Sequence, residues 1–81
     1  MKLEELIAMR AHLEAGHAFH TADGYVVTVR PGAYSGKLIV RVKVSPDARG
    51  DTSGRAHDIR DASLRAEEWI DDLRMRAAGR P

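Results

Sequence analysis

The chain has no cysteine, asparagine or glutamine, a single Trp and a single Phe, and no apolar run longer than a few residues. Each absence removes a class of function. Without Cys there is no disulfide, no thiol nucleophile and no thiolate metal site, which suits a reducing cytoplasm. Without a long apolar run no segment is suited to span a bilayer. The opening stretch MKLEELIAM carries Glu4 and Glu5 where a secretory signal needs continuous apolar residues, so the expected location is the cytoplasm of a bacterial host cell. An amide-free composition rich in Ala, Arg, Gly and Asp is the usage of a GC-rich bacterial or phage genome. With 13 Lys and Arg against 12 Asp and Glu, the formal charge is +1. That balance excludes both a polyanionic DNA mimic and a histone-like polycation, but it leaves room for a local patch.

What is present is organised around Lys37–Val44, KLIVRVKV. Leu38, Val40, Val42 and Val44 alternate with Lys37, Ile39, Arg41 and Lys43. Strict alternation places one set on each side of a pleated strand, here an apolar inner face and a basic outer face. A chain of 81 residues makes one domain, 1–81, and buries only about 60 % of its unfolded surface. The rest of the chain must therefore cover that apolar face economically.

Residues 2–15 read as an amphipathic helix with Leu3, Leu6, Ile7 and Leu13 on one side, closed by Gly16. Residues 17–21 read as a first strand, Ala22-Asp23-Gly24 as a hairpin loop, and residues 25–30 as a second strand with Tyr25, Val27 and Val29 inward. Pro31 to Gly36 connect it to the third strand, 37–44. Residues 45–57, with Gly50 and Gly54 and no periodicity, read as a loop. Residues 58–78 read as the longest helix. Its stripe is Ile59, Ala62, Ala66, Trp69, Ile70, Leu73 and Ala77, with acids at the start and Arg74 and Arg76 at the end. The expected fold is α+β: a two-layer α-β-β-β-α domain, three antiparallel strands under two helices, with Trp69 anchoring the last helix on the sheet.

Chemistry-bearing residues are few. His12, His17, His20 and His57 lack the spacing of a metal site, and no metal or cofactor is expected. Ser35, Ser45, Ser53 and Ser63 have no nucleophile context. The Gly50 to Gly54 stretch lacks the Gly-Lys-Ser/Thr ending of a phosphate loop, and Arg49-Gly50-Asp51 is too short a match to imply adhesion. Glu67, Glu68, Asp71 and Asp72 form two i,i+4 acidic pairs that could serve acid–base chemistry only if they faced a pocket. The expectation is a protein that is not an enzyme. The organised feature is charge. Between Gly24 and Arg55 the bases Arg30, Lys37, Arg41, Lys43, Arg49 and Arg55 stand against only Asp47 and Asp51. Solubility alone is served better by mixed signs. The candidate partner-binding set is therefore Arg30, Tyr34, Lys37, Arg41, Lys43, Arg49 and Arg55.

In integrase arm-type β-sheet DNA-binding domains three strands precede a helix; residues Tyr25 to Leu73 resemble that strands-then-helix order, and Asp61-Ala62-Ser63-Leu64-Arg65-Ala66-Glu67-Glu68-Trp69-Ile70 resembles the family's helix with its Ala and Trp packing positions. That resemblance implies contact between the outer sheet face and duplex DNA. The α-β-β-β-α order is similar to that of double-stranded RNA-binding domains, without their Lys-Lys-x-x-Lys start to the last helix. In type, a very small cysteine-free chain without an active site resembles the phage-encoded inhibitors of bacterial defence, such as anti-CRISPR proteins. This implies an inhibitor docking on an acidic protein surface or a nucleoprotein complex, with direct nucleic-acid binding as the alternative and no membrane partner; a monomer is favoured, while pairing of two copies through the third-strand edge stays open.

Overall fold

The computed structural model describes residues 1–33, 36–44 and 52–79. The order is α1 (Leu3–Glu14), β1 (Phe19–His20), β2 (Tyr25–Pro31), β3 (Leu38–Val44), β4 (Thr52–Ala56) and α2 (Ile59–Ala78). The strands form one antiparallel sheet in the order β1-β2-β3-β4, with both helices against one face. The α+β class and the two-helix layer match the sequence reading; the number of strands does not.

β3 lies inside the sheet and sets its two sides. Val27, Val42 and Thr52 share one inward row, and Val29, Val40 and Gly54 the next. Val27, Val40 and Val42 are fully buried. α2 closes this face with Ala62, Ala66 and Ile70, all fully buried, while Ile59, Trp69 and Leu73 are half-buried beside them. Small residues at 62 and 66 let the helix backbone approach the strands. Ala77, expected at the end of the stripe, is exposed.

β4 falls where a loop was expected. The sequence Thr-Ser-Gly-Arg-Ala has little intrinsic strand preference. Tertiary context overrides this. β4 completes the second side of β3, and Gly54 leaves room for the Trp69 ring: a Cβ on Gly54 would stand 3.1 Å from its Cη2. Trp69 does anchor α2, and it does so on the strand the sequence hid. β1 is shorter than the expected 17–21. Thr21 belongs to the turn, where its Oγ1 accepts the Tyr25 N–H at 2.9 Å and Gly24 takes φ +97°.

α1 also differs from expectation. Met9 and Leu13, one helical turn apart, are the buried pair, with Leu6 half-buried beside them. Leu3 and Ile7 are 71 % and 60 % exposed. The apolar residues of α1 spread around the helix, and the contacts to β1 and α2 select one arc of them. α2 begins with Asp58 as N-cap: its Oδ1 accepts the Asp61 N–H at 2.8 Å, and the Asp61 carboxylate in turn accepts the His57 N–H at 2.9 Å. The two acids thus hold orphan donors at the helix start from both directions.

Replacing Gly54 with Val should cost about 1–3 kcal/mol through overpacking against Trp69. Urea unfolding and Trp emission would measure it. A variant as stable as the parent, with unshifted emission, would mean that the ring does not depend on the missing Cβ. Asp58→Ala should cost about 1 kcal/mol through loss of the cap, read from the same unfolding curves.

Candidate functional site

With both helices on one side, no described helix or strand covers the other side of the sheet. The register arranges its side chains in three rows. His20, Val26 and Lys43 form one; Thr28, Arg41 and Ser53 the next; Arg30, Ile39 and Arg55 the third. Adjacent strands stand about 4.8 Å apart and rows about 6.7 Å apart, so Arg30 and Arg55 are separated by about 10 Å with Ile39 between them.

Arg30, Arg41, Lys43 and Arg55 are all exposed. Four cations therefore share a patch three strands wide. No Asp or Glu occurs on this face among the described residues, and none of the described carboxylates pairs with Arg30, Lys43 or Arg55. Cross-strand neighbours of opposite charge would be the ordinary stabilising choice. Here hydroxyls take those positions, with Thr28 and Ser53 on either side of Arg41. Val26 and Ile39 are half-buried although no helix covers them. Long cationic stems in adjacent positions can shield aliphatic groups in this way while their heads stay in water.

Of the seven residues singled out from sequence, Arg30, Arg41, Lys43 and Arg55 come together on the open face. Lys37 is exposed just before β3, with the parity of Ile39 and Arg41, and its carbonyl accepts the Gly32 N–H at 2.8 Å. Tyr34 and Arg49 lie outside the described residues, as does the Arg-Gly-Asp tripeptide. Arg55 was expected on a loop and instead belongs to β4, which fixes its direction. His20 and Ser53 are face members that the sequence reading missed. The signal was there in Thr52, Gly54 and Ala56 alternating with Ser53 and Arg55, but small residues give that alternation no hydrophobic contrast.

A second charged cluster lies on the helix side. Arg74 donates through Nε and Nη2 to Asp23, both at 2.7 Å, and through Nη1 and Nη2 to Glu5 at 2.8 and 3.1 Å. Its guanidinium also stands 5.7 Å from the centre of the Tyr25 ring. Beside it is an open depression of about 330 Å³ lined by Lys2, Glu4, Glu5 and Arg74. The hydrogen bond from Arg74 is the main cause holding the Asp23 carboxyl down at about 2 and drawing the Glu5 carboxyl below its ordinary value. The same two bonds raise the Arg74 pKa. These charges satisfy one another and tie α1, the β1–β2 turn and α2 together.

The acidic helix face is largely exposed. Glu68 and Asp72 are exposed, Asp72 pairs with Arg76 at 3.0 Å, and Asp71 pairs with the Met1 ammonium. No group of three or more His, Asp or Glu among the described residues is placed to hold a metal ion. His12 donates from Nδ1 to the Ala8 carbonyl at 2.8 Å and meets the Phe19 ring edge-on. Among the described residues no helix is long and apolar enough to cross a membrane. No protein-family model, curated protein or solved structure matches this chain.

The Arg74 tie has a defined acid limit. A carboxyl whose folded pKa is depressed adds stability above its unfolded value and loses it as pH falls through the folded one. For Asp23 that window runs from 3.8 down to about 2. Arg74→Met should therefore lower stability at neutral pH by roughly 1 kcal/mol, since solvent screens the half-exposed Asp23. It should also flatten the stability–pH curve below about pH 4. Thermal unfolding from pH 2 to 7 checks this, and parallel curves for parent and variant would contradict it.

Proposed function

We propose that this chain is a small non-catalytic binding protein whose open sheet face docks on an anionic surface of a bacterial protein or nucleoprotein complex. It would act as a phage or mobile-element inhibitor of the anti-CRISPR type, working by steric block. One observation carries the reading: four exposed cations, Arg30, Arg41, Lys43 and Arg55, stand in register on the side of the sheet away from the two helices. A preformed sheet is rigid, so docking orders little backbone and the entropic cost of association stays low. A stable complex needs about 800 Å² from each partner. Arg is favoured at the energetic centre of such interfaces.

Direct binding of duplex nucleic acid by the same face is the alternative. Its support is the Thr28–Arg41–Ser53 row, because Arg and hydroxyl side chains are common phosphate contacts. The two readings differ in salt response. Four phosphate contacts imply a slope of log affinity against log salt of about −3.6, whereas a packed protein interface depends far less on salt.

The test is capture of partners from a bacterial lysate with and without nuclease, using the parent, Arg41→Glu with Lys43→Glu, and Arg30→Glu with Arg55→Glu. Both double reversals should keep the parent's circular dichroism and lose the partner by at least about 100-fold, since paired hot-spot charges carry several kcal/mol. Retention after nuclease identifies a protein partner; loss after nuclease identifies nucleic acid. Undiminished capture by both folded variants would rule out the basic face.

A further inference from the structure

The sheet has two free edges, and they are unlike. β1 is two residues long, and so short an edge offers almost nothing to pair with. β4 is five residues long, Thr52–Ala56, and pairs only with β3. Alternate residues of an edge strand aim their N–H and C=O groups outward. Among the described residues no hydrogen bond reaches that outer side of β4. The usual guards against strand addition are missing from it: it contains no Pro and no Lys, and its one charged side chain, Arg55, belongs to the open face. Above it, on the helix side, the half-buried Trp69 ring lies across Gly54.

We propose that β4 is a docking edge that accepts an extended, alternately acidic and apolar segment of the partner protein as a fifth strand. A strand laid beside β4 sends alternate side chains to opposite faces. One set meets Arg55 on the basic side, where carboxylates complement it. The other set meets Trp69 and the small residues Thr52, Gly54 and Ala56, where apolar groups are favoured. Backbone hydrogen bonds supply affinity in this mode, and the alternating pockets supply specificity. Charge also decides against a second copy of this chain as the occupant. Joining two β4 edges would extend one sheet through both copies and set Arg30, Arg41, Lys43 and Arg55 beside an identical cationic set. The proposal rests on the basic-face reading only for the sign of the partner's charge.

Trp69 is the only Trp, so its emission reports on this edge directly. The probes are three short capped peptides: one alternating Glu and Val, one of the same composition with Glu and Val in separate blocks, and the alternating one N-methylated at every second amide. The alternating peptide should bind saturably with a blue shift of Trp69. N-methylation on the pairing edge should cost about tenfold or more, as expected when more than one backbone hydrogen bond goes unmade. Arg55→Glu should weaken the Glu/Val peptide and strengthen its Lys/Val counterpart. Equal binding of alternating and block peptides, without loss on N-methylation, overturns strand addition and leaves the basic face intact as a charge receptor. No binding by any peptide also overturns it, and the charge-reversal capture experiment then judges the face independently. Self-association of the protein alone, blocked by the alternating peptide, would overturn the choice of occupant.

Discussion

β3 is hydrogen-bonded along both sides, and that constraint organises the molecule. A strand inside a sheet cannot change register on one side without disturbing the other. The parity of Leu38–Val44 therefore fixes which side chains of β2 and β4 share its two faces. Valines at 40 and 42 commit one face to burial, and Arg41 and Lys43 commit the other to water. Two helices are enough to cover a sheet of this size on one side only. The open face is thus a consequence of the count of elements, while its charge is a property of the residues chosen for it.

The covered side is held by three unlike contacts. Ala62, Ala66 and Ile70 provide close apolar packing between α2 and the middle strands. Trp69 reaches further out and lies on Gly54, which binds the last strand to the last helix. Arg74 works at the opposite end, where it joins α1 and the β1–β2 turn to α2 through Glu5 and Asp23. The first two contacts are hydrophobic and indifferent to pH. The third is ionic, and acid that protonates Asp23 and Glu5 weakens it.

The parts legible from sequence were those with strong contrast. β2 and β3 alternate Val with polar residues, and α2 carries an apolar stripe with acids and bases at the proper ends. β4 was illegible because its inward residues are Thr, Gly and Ala, of which Gly54 leaves its space to the Trp69 ring. The buried arc of α1 was misjudged because its aliphatic residues surround the helix, and only the neighbours decide which of them are covered. Arg74 was read as a helix-end cation, and its two partners, Glu5 and Asp23, lie far away in sequence. Three of the seven candidate binding residues, Arg30, Arg41 and Lys43, cluster because they share strand parity, which is local information. Arg55 joined them only through the strand that periodicity could not reveal.

The charge distribution is the strongest argument that the open face serves a partner. The described acids lie on α1, α2 and the turns beside them, and among the described residues none lies on the outer sheet face. At separations near 10 Å in water each like-charge pair costs only about 0.4 kcal/mol, so the arrangement is tolerable. It is still unfavourable, and a composition this balanced could have interleaved both signs on the sheet at no loss of solubility. Segregation instead gives a nearly neutral molecule a strong polarity across its thickness. Such a field orients an approaching anionic surface toward one side and holds it off the other, which raises productive encounters without raising net charge. A protein selected only to remain dissolved has no use for that asymmetry. The proposed docking on a polyanionic surface would use it.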